Sequence, residues 1–466
     1  MQSFYKPMDE AERADWRARR RAAWDRLSPE HQNARQVLGK RITIGCVALE
    51  ITQRCNLDCT LCYLSELSES IPDPPLEEIK RRADLILRDW GPNTNVQITG
   101  GDPTLRKRSE LVEIVRYCRS IGLLPALFTN GIKARRDLLV DLCRVGLTDV
   151  AFHVDLTQER PGYKTETDLN AIREEYIERA RGLPLAVVFN TTVCRDNIHE
   201  VPDLVRFFRK HADVVGMCSF QLEADTGRGV LRDGYAPGLP NMRELVGRGF
   251  DDAPLSWEAV QFGHPKCHSI VYTLQAGDHS IDLNDDIELV EDMLRELPDL
   301  EMDRTQPLRA AATVALGALS KPRVALKGLR WLGRKLRDNF VPIARAGFKV
   351  HKLSVFIQNF QGRDELDPDR IQNCSFMVAT HDGTVSMCLH NARRDEFITV
   401  GVDRLLRKPA PRGAPRERDP HLPTPLQGPI APGAAGLPLG PGTPDPQRVT
   451  VAAPSAVVNA TGGDAE

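Results

Sequence analysis

The sequence predicts an α/β protein organised around a parallel β-sheet. Six short runs rich in β-branched and aromatic residues recur through its first half: ITIGCVALEIT, NVQIT, LLPALFT, DVAFHV, LAVVFNTTV and VVGMCSFQL. Between them lie segments with apolar residues at helical spacing: LEEIKRRADLILRDW, SELVEIVRYCRSIG, RDLLVDLCRVG, DLNAIREEYIERARG and EVPDLVRFFRKH. Strands alternating with helices imply βαβ units, because parallel neighbours need a crossover between them. Six strands over about 180 residues fit either an open doubly wound sheet or a partial (β/α) barrel. Spacing alone leaves both open.

In chain order, residues 1–40 read as an N-terminal helical extension. From residue 9 to about 36, Arg, Glu and Ala dominate, and Trp16, Trp24 and Leu27 offer one modest apolar side. Residues 41–225 carry the alternating core. Residues 226–302 form a connecting region with Gly/Pro-rich loops and the phrase GHPKCHSIVYTL, which contains Cys267. The character then changes over residues 303–352, where twelve Lys and Arg stand against only Asp303 and Asp338. That is a local charge of about +10 in a chain whose net charge is -2. Residues 353–407 include QNCSFMVATHDGTVSMCLHN, two short strands joined by the turn His381-Asp382-Gly383, with Cys374 and Cys388 on either side. From residue 408 to 466 the chain holds 13 of its 33 prolines and few large apolar residues, so a disordered tail is predicted.

The whole-chain balance excludes several classes. With 62 basic and 64 acidic residues there is no global electrostatic footprint for nucleic acid, and none is expected as a partner. The N-terminus is charged from Asp9 onward and lacks the apolar core of a secretory signal. No stretch reaches the roughly 18 apolar residues of a membrane span. A cytoplasmic location follows as the expectation, and there clustered cysteines are more often metal ligands than disulfides.

Three of the 11 cysteines fall in one run, Cys55, Cys59 and Cys62 in TQRCNLDCTLCYLSE, directly after the first predicted strand. The spacing is C-x3-C-x2-C. Three thiolates on one loop can hold three irons of a [4Fe–4S] cluster and leave the fourth iron for a small molecule. The competing reading is a structural zinc site, which wants a closed set of four ligands and a second knuckle that this chain lacks.

This loop, with Leu61 just before the third cysteine, resembles the cluster motif of the radical S-adenosylmethionine (radical SAM) superfamily. About 40 residues on, Thr99-Gly100-Gly101-Asp102-Pro103-Thr104 resembles that family's Gly-Gly-Glu-Pro motif, with Asp102 in place of the common Glu. The resemblance implies a partial (β/α)6 TIM-like barrel followed by a C-terminal α+β extension. It implies that Leu61, Gly100, Gly101, Asp102 and Pro103 contact S-adenosyl-L-methionine at the C-terminal edge of the strands. Polar residues at later strand ends, Asn130, Asp155 and Asn190, and also His153, Thr192, Gln221 and Glu223, stand where ribose and carboxylate contacts are needed. The implied chemistry is one-electron cleavage of the sulfonium to a 5′-deoxyadenosyl radical, which abstracts hydrogen from the substrate. It needs an external electron donor of the flavodoxin or ferredoxin type and no general acid or base, so no catalytic side chain is assigned.

Cys267, Cys374 and Cys388 are candidates for an auxiliary iron–sulfur cluster, with His390, His264 or an outside group as a further ligand. The plainer alternative is that they are small buried hydrophobes. The C-terminal phrases resemble the tetraether lipid synthase-like and archaeal methylase-like subgroup, which implies a lipid, polyprenyl or cofactor-precursor substrate. In VALKGLRWLGRKLRDNFVPIARAGF, apolar residues at helical intervals sit among cations around Trp331, the pattern of a helix lying peripherally on an anionic membrane. Two other readings compete: a peptide-maturation enzyme on the same barrel, and a non-catalytic iron–sulfur sensor or electron-transfer protein. Gly100-Gly101 speaks against the sensor, which has no use for a methionine site.

Overall fold

The computed structural model describes residues 5–226, 238–303 and 306–399; the predicted Pro-rich tail lies outside the described residues. The first half alternates as the sequence predicts. Helix α1 (Glu10–Arg26) leads into β1 (Cys46–Thr52), α2 (Leu76–Trp90), β2 (Asn95–Gly100), α3 (Arg108–Ser120), β3 (Leu124–Thr129) and α4 (Arg136–Arg144). Then come β4 (Asp149–His153), α5 (Asn170–Ala180), β5 (Ala186–Val193), α6 (Val201–Lys210), β6 (Val215–Leu222) and α7 (Leu239–Gly249). The remainder adds β7 (His268–Ala276), β8 (His279–Asp282), α8 (Ile287–Glu296), α9 (Pro307–Leu319), α10 (Pro322–Arg345), β9 (His351–Asn359), α11 (Pro368–Gln372), β10 (Phe376–Ala379), β11 (Thr384–Ser386) and α12 (Met387–Ala392).

Local chemistry sets the ends of α1. Asp9 accepts a hydrogen bond from the Glu12 amide (2.8 Å) while the Glu12 carboxylate accepts one from the Asp9 amide (3.0 Å), a reciprocal cap. The helix stops at Arg26, short of the residue 36 its composition suggested. Ser28 precedes Pro29, which disfavours helical backbone, and Leu27 and Ser28 are already extended.

β1 to β6 pair in parallel and in sequence order. β9 joins the β6 edge in parallel, β7 pairs antiparallel with β9, and β8 with β7. On the other side β10 runs parallel to β1 and pairs antiparallel with β11. Alternate residues face opposite sides of each strand. Val47, Leu49, Ile51, Val96, Ile98, Leu127, Val150, Phe152 and Phe189 meet Ile79, Ile86, Leu111, Val115, Leu139, Leu142, Tyr176 and Phe208 of the crossover helices in one apolar core. The other face carries Glu50, Gln97, Thr99, Phe128, His153, Asn190, Gln221, Gln358 and Val378, from eight different strands, and all of them line one cavity. One face of eight strands can surround a single cavity only if the sheet is curled, so the sheet is the arc of an incomplete barrel.

Candidate active site

The cavity measures about 1450 Å³ with its open mouth and sits at the C-terminal ends of the parallel strands. The loop after β1 forms one wall. Cys55, Cys59 and Cys62 all line it, each half-buried, with Leu61 beside them. The Thr60 amide donates to the Thr157 carbonyl (2.8 Å), tying this loop to the turn after β4. Tyr63, next to the third cysteine, donates its hydroxyl to the Gly100 carbonyl (2.7 Å) and so joins the cysteine loop to the glycine turn. No other cysteine lines the cavity, and among the described residues His153, from β4, is its one histidine. Three soft thiolate donors with one position left over suit an iron–sulfur cluster with an open iron and not a closed tetrahedral zinc.

The glycine turn is shaped by the cysteine loop. Gly100 has φ of 126°, and a Cβ there would collide with the Thr52 carbonyl oxygen. A Cβ on Gly101 would collide with the Arg54 carbonyl oxygen. Two backbone bonds close this crossing, Gly101 N to Thr52 O (2.9 Å) and Asp102 N to Arg54 O (2.8 Å). The sequence reading put the glycines there for close approach of a ligand; their missing side chains are required by the passage of the cysteine loop itself. Asp102 is also committed. One carboxylate oxygen accepts from the Thr104 amide and hydroxyl (2.9 and 2.5 Å), the other from the Thr129 hydroxyl and the Asn130 amide (2.8 and 2.9 Å). It fastens the turn to the end of β3. Gly100, Gly101 and Asp102 border the cavity, whereas Pro103 is buried behind it at the start of a short 3-10 turn.

At the later strand ends, Asn130, His153, Asn190, Thr192, Gln221 and Glu223 line the cavity. The Asn130 amide donates to Asn56 Oδ1 (2.8 Å) and stands 4.0 Å from the Cys55 sulfur. Asp155 does not reach the lining, contrary to its assignment as a cofactor contact. The chain leaves the strand at Val154, and the carboxylate turns into the protein. There it accepts from the Thr157 amide and hydroxyl, from the Thr192 amide (2.8 Å), and pairs with His153 Nε2 (2.6 Å). Burial works against a charged His153, yet Asp155 outweighs it and raises the imidazole above its ordinary value; the same pairing holds Asp155 low. Glu223 is pushed up to about 7, by burial first and then by Asp196.

A buried ion pair anchors the floor of the site. Glu50, the one charged residue of β1, is 5% exposed and meets Arg394, which is 3% exposed. Both terminal nitrogens of Arg394 reach Glu50 Oε1 (2.8 and 2.5 Å), its Nε donates to the Tyr63 carbonyl (2.9 Å), and its guanidinium lies 4.7 Å over the Tyr63 ring. Gln53 donates to the second Glu50 oxygen (2.8 Å). Burial alone would raise the Glu50 carboxyl; Arg394, with His390, Gln53 and Arg82, holds it below its ordinary value. Sequence reasoning missed this group. The signal was available in Glu50, an acid at a cavity-facing position of a strand with no other charge.

Cys267, Cys374 and Cys388 are all buried, and burial above all pushes the Cys388 thiol up, with its thiol neighbours Cys374 and Cys267 adding to the rise. Cys267 accepts from Arg370 Nε (3.3 Å) and the Cys374 thiol donates to the Phe376 carbonyl (3.0 Å). His264 has no ring nitrogen to offer them. Its Nδ1 accepts from the Lys266 amide (3.1 Å) and its Nε2 faces Asp369 (3.1 Å). His31 Nε2 meets the same Asp369 oxygen (2.9 Å), and Ser28 and Asn373 bond the other (2.6 and 2.7 Å). The trio His31, His264 and Asp369 has ligand atoms within 4.8 Å of one another. Because Nδ1 of His264 is an acceptor, its Nε2 carries the proton, so the trio is a hydrogen-bonded clasp between the N-terminal segment and α11.

Residues 49–208 match the family described as the radical SAM superfamily. A 7,8-dihydro-6-hydroxymethylpterin dimethyltransferase of Methanocaldococcus jannaschii is 25% identical over 388 residues, covering 74% of this chain and 76% of that protein. A PqqA peptide cyclase of Bradyrhizobium diazoefficiens is 31% identical over 165 residues, 34% of this chain and 42% of the cyclase, so the chain spans under half of that relative. Among solved structures, that of Streptococcus suis SuiB bound to precursor peptide SuiA aligns with 17% identity and a TM-score of 0.36, over 45% of this chain and 47% of SuiB.

Proposed function

Residues 49–208 form a radical SAM domain, and from that premise we propose that the protein holds its [4Fe–4S] cluster on Cys55, Cys59 and Cys62 and acts on a lipid or polyprenyl chain. The observation that carries the cluster assignment is the cavity wall itself, which three cysteines of one loop line and no fourth cysteine does. When bound, the cluster and S-adenosylmethionine supply one-electron cleavage of the sulfonium, giving methionine and a 5′-deoxyadenosyl radical that becomes 5′-deoxyadenosine on taking hydrogen from substrate.

The protein's part is positioning and exclusion of water. Gly100 and Gly101 would present backbone to bound S-adenosylmethionine, and Leu61 would supply an apolar surface beside the cysteines. Asn190 would offer its side-chain amide to the bound cofactor, and Asn130, whose amide donates to Asn56, would brace the wall beside Cys55. Asp102 and Asp155 act from behind, the first by fixing the glycine turn and the second by orienting His153. Arg394 and Glu50 pin the cysteine loop through Tyr63. The lipid reading is supported by the apolar share of the wall, Phe128, Phe360, Phe376, Val378 and Met387. A peptide substrate is the second reading, favoured by the peptide cyclase among the relatives. The electron enters from an external donor, for which a flavodoxin- or ferredoxin-like protein is the fitting class. An auxiliary cluster is proposed on Cys267, Cys374 and Cys388, three buried thiols of the C-terminal half.

Anaerobic protein given dithionite and S-adenosylmethionine is expected to release 5′-deoxyadenosine, and more of it when lipid extract is added. A fully loaded cluster that releases none, with lipid or peptide extracts alike, would overturn the catalytic reading in favour of a sensor.

A further inference from the structure

Helices α9 and α10 pack on each other through the short link Ser320-Lys321, and α10 meets the rest of the protein with its polar side. Lys327 pairs with Glu288 (3.1 Å) and Asp292 (2.7 Å), Arg334 with Asp285 (3.4 Å) and Asp286 (3.6 Å), and Lys335 with Asp285 (3.0 Å). Trp331 Nε1 donates to Asp285 (2.9 Å), and Asn339 meets His279 (2.7 Å). Val324 is the one residue of the helix that is fully enclosed, against Leu289 and Leu297. An amphipathic helix of a globular protein ordinarily does the reverse and buries its apolar stripe.

That stripe faces outward. Leu326, Leu329, Leu332, Leu336 and Phe340 recur at steps of three and four and are between 46% and 62% exposed. Leu316 and Leu319 of α9 and Phe348 after α10 are also exposed. Of thirteen exposed large apolar side chains among the described residues, nine fall between residues 316 and 348. Cations rim the stripe. Arg323, Arg330 and Arg337 repeat every seven residues along one edge, and Arg309, Lys321, Arg345 and Lys349 stand toward the ends. Asp338 is the sole acid from residue 306 to 352.

We propose that the α9–α10 hairpin docks the protein onto the surface of an anionic lipid bilayer. No helix among the described residues is long and apolar enough to cross a membrane, so the hairpin lies in the plane of the interface. Its leucines enter the acyl boundary and its arginines meet lipid phosphates. Charge selects this occupant, since a second copy of the chain would bring the same cations to the contact. The hairpin's ion pairs to Asp285, Glu288 and Asp292 then turn the apolar stripe away from the protein and toward the membrane. The proposal rests on the hairpin alone and holds whether or not the substrate is a lipid.

Flotation of the full-length, cluster-loaded protein tests it, with vesicles of phosphatidylcholine alone or mixed with phosphatidylglycerol. The protein is expected to float with the anionic vesicles and to release partly when salt rises from 0.1 to 1 M, as the screening length falls from about 10 to about 3 Å. Leu329→Glu with Leu336→Glu should lower the bound fraction at least tenfold, and so should Arg323→Glu with Arg330→Glu. These side chains are exposed, and circular dichroism should show both variants folded. Recovery of the wild type in the lipid-free fraction at 0.1 M salt, or a lipid-independent dimer abolished by the leucine substitutions, overturns the proposal. Formation of 5′-deoxyadenosine without vesicles is read in parallel. Protein that cleaves but does not float sinks only the docking, and protein that floats but does not cleave sinks only the catalytic reading.

Discussion

Replacing Cys55, Cys59 and Cys62 together by alanine is expected to remove one whole cluster and abolish cleavage of S-adenosylmethionine. With the auxiliary site filled, the reconstituted wild type should hold about eight irons per chain, four in each cluster. The triple variant should keep about four, and Cys374→Ala with Cys388→Ala should lose the other four. Iron and sulfide analysis alongside the visible spectrum reads all three proteins. A wild type with four irons and an iron-free triple variant would dismiss the auxiliary site and keep the first. An unchanged count in the triple variant would dismiss the first.

Arg394→Ala should be the most destabilising single change at the floor of the site. It strands Glu50, which is 5% exposed, without its cation and frees the carbonyl end of Tyr63. Breaking a buried pair in this way costs about 3–5 kcal/mol. The pH dependence has a definite sign. In the wild type Glu50 is held below its ordinary 4.5, so its contribution is complete above that value and is lost as pH falls through the lower folded pKa. In the variant, burial without Arg394 raises the carboxyl. The deficit is then greatest at neutral pH and shrinks toward about pH 5 as the stranded group protonates. Urea unfolding at several pH values measures this, with the double change Glu50→Leu and Arg394→Met expected to regain most of the loss. A deficit under about 1 kcal/mol at pH 7.5 would show that the pair does not hold the site together.

The parts of the fold visible in the sequence were those written in local periodicity. Five of the six core strands sit within the runs that alternate with helices and β2 passes its run by one residue, Gly100, because a strand's two-residue period and a helix's apolar spacing need no distant partner to be recognised. The cysteine loop was legible for the same reason, its three thiols lying within eight residues. Contacts across the chain were not. Arg394 meets Glu50 across 344 residues, and nothing near either one announces the other. Asp155 shows a different failure. A polar residue just past a strand end can continue the pleat into the cavity or turn beneath it, and the Thr157 and Thr192 amides draw this one beneath. The basic helix was legible in part. Its amphipathicity was plain, but which side is inward depends on Asp285, Glu288 and Asp292, acids from another part of the chain.

The proposed chemistry depends on Cys55, Cys59 and Cys62 leaving one iron of the cluster open in the cavity that Gly100 and Gly101 also line. Electron paramagnetic resonance of the dithionite-reduced protein, recorded before and after addition of S-adenosylmethionine, observes that iron itself. A reduced-cluster signal whose g values shift on addition, with Cys374→Ala and Cys388→Ala in place to remove the second cluster, is the expected result. A signal identical with and without S-adenosylmethionine in that same variant would contradict an open site on Cys55, Cys59 and Cys62.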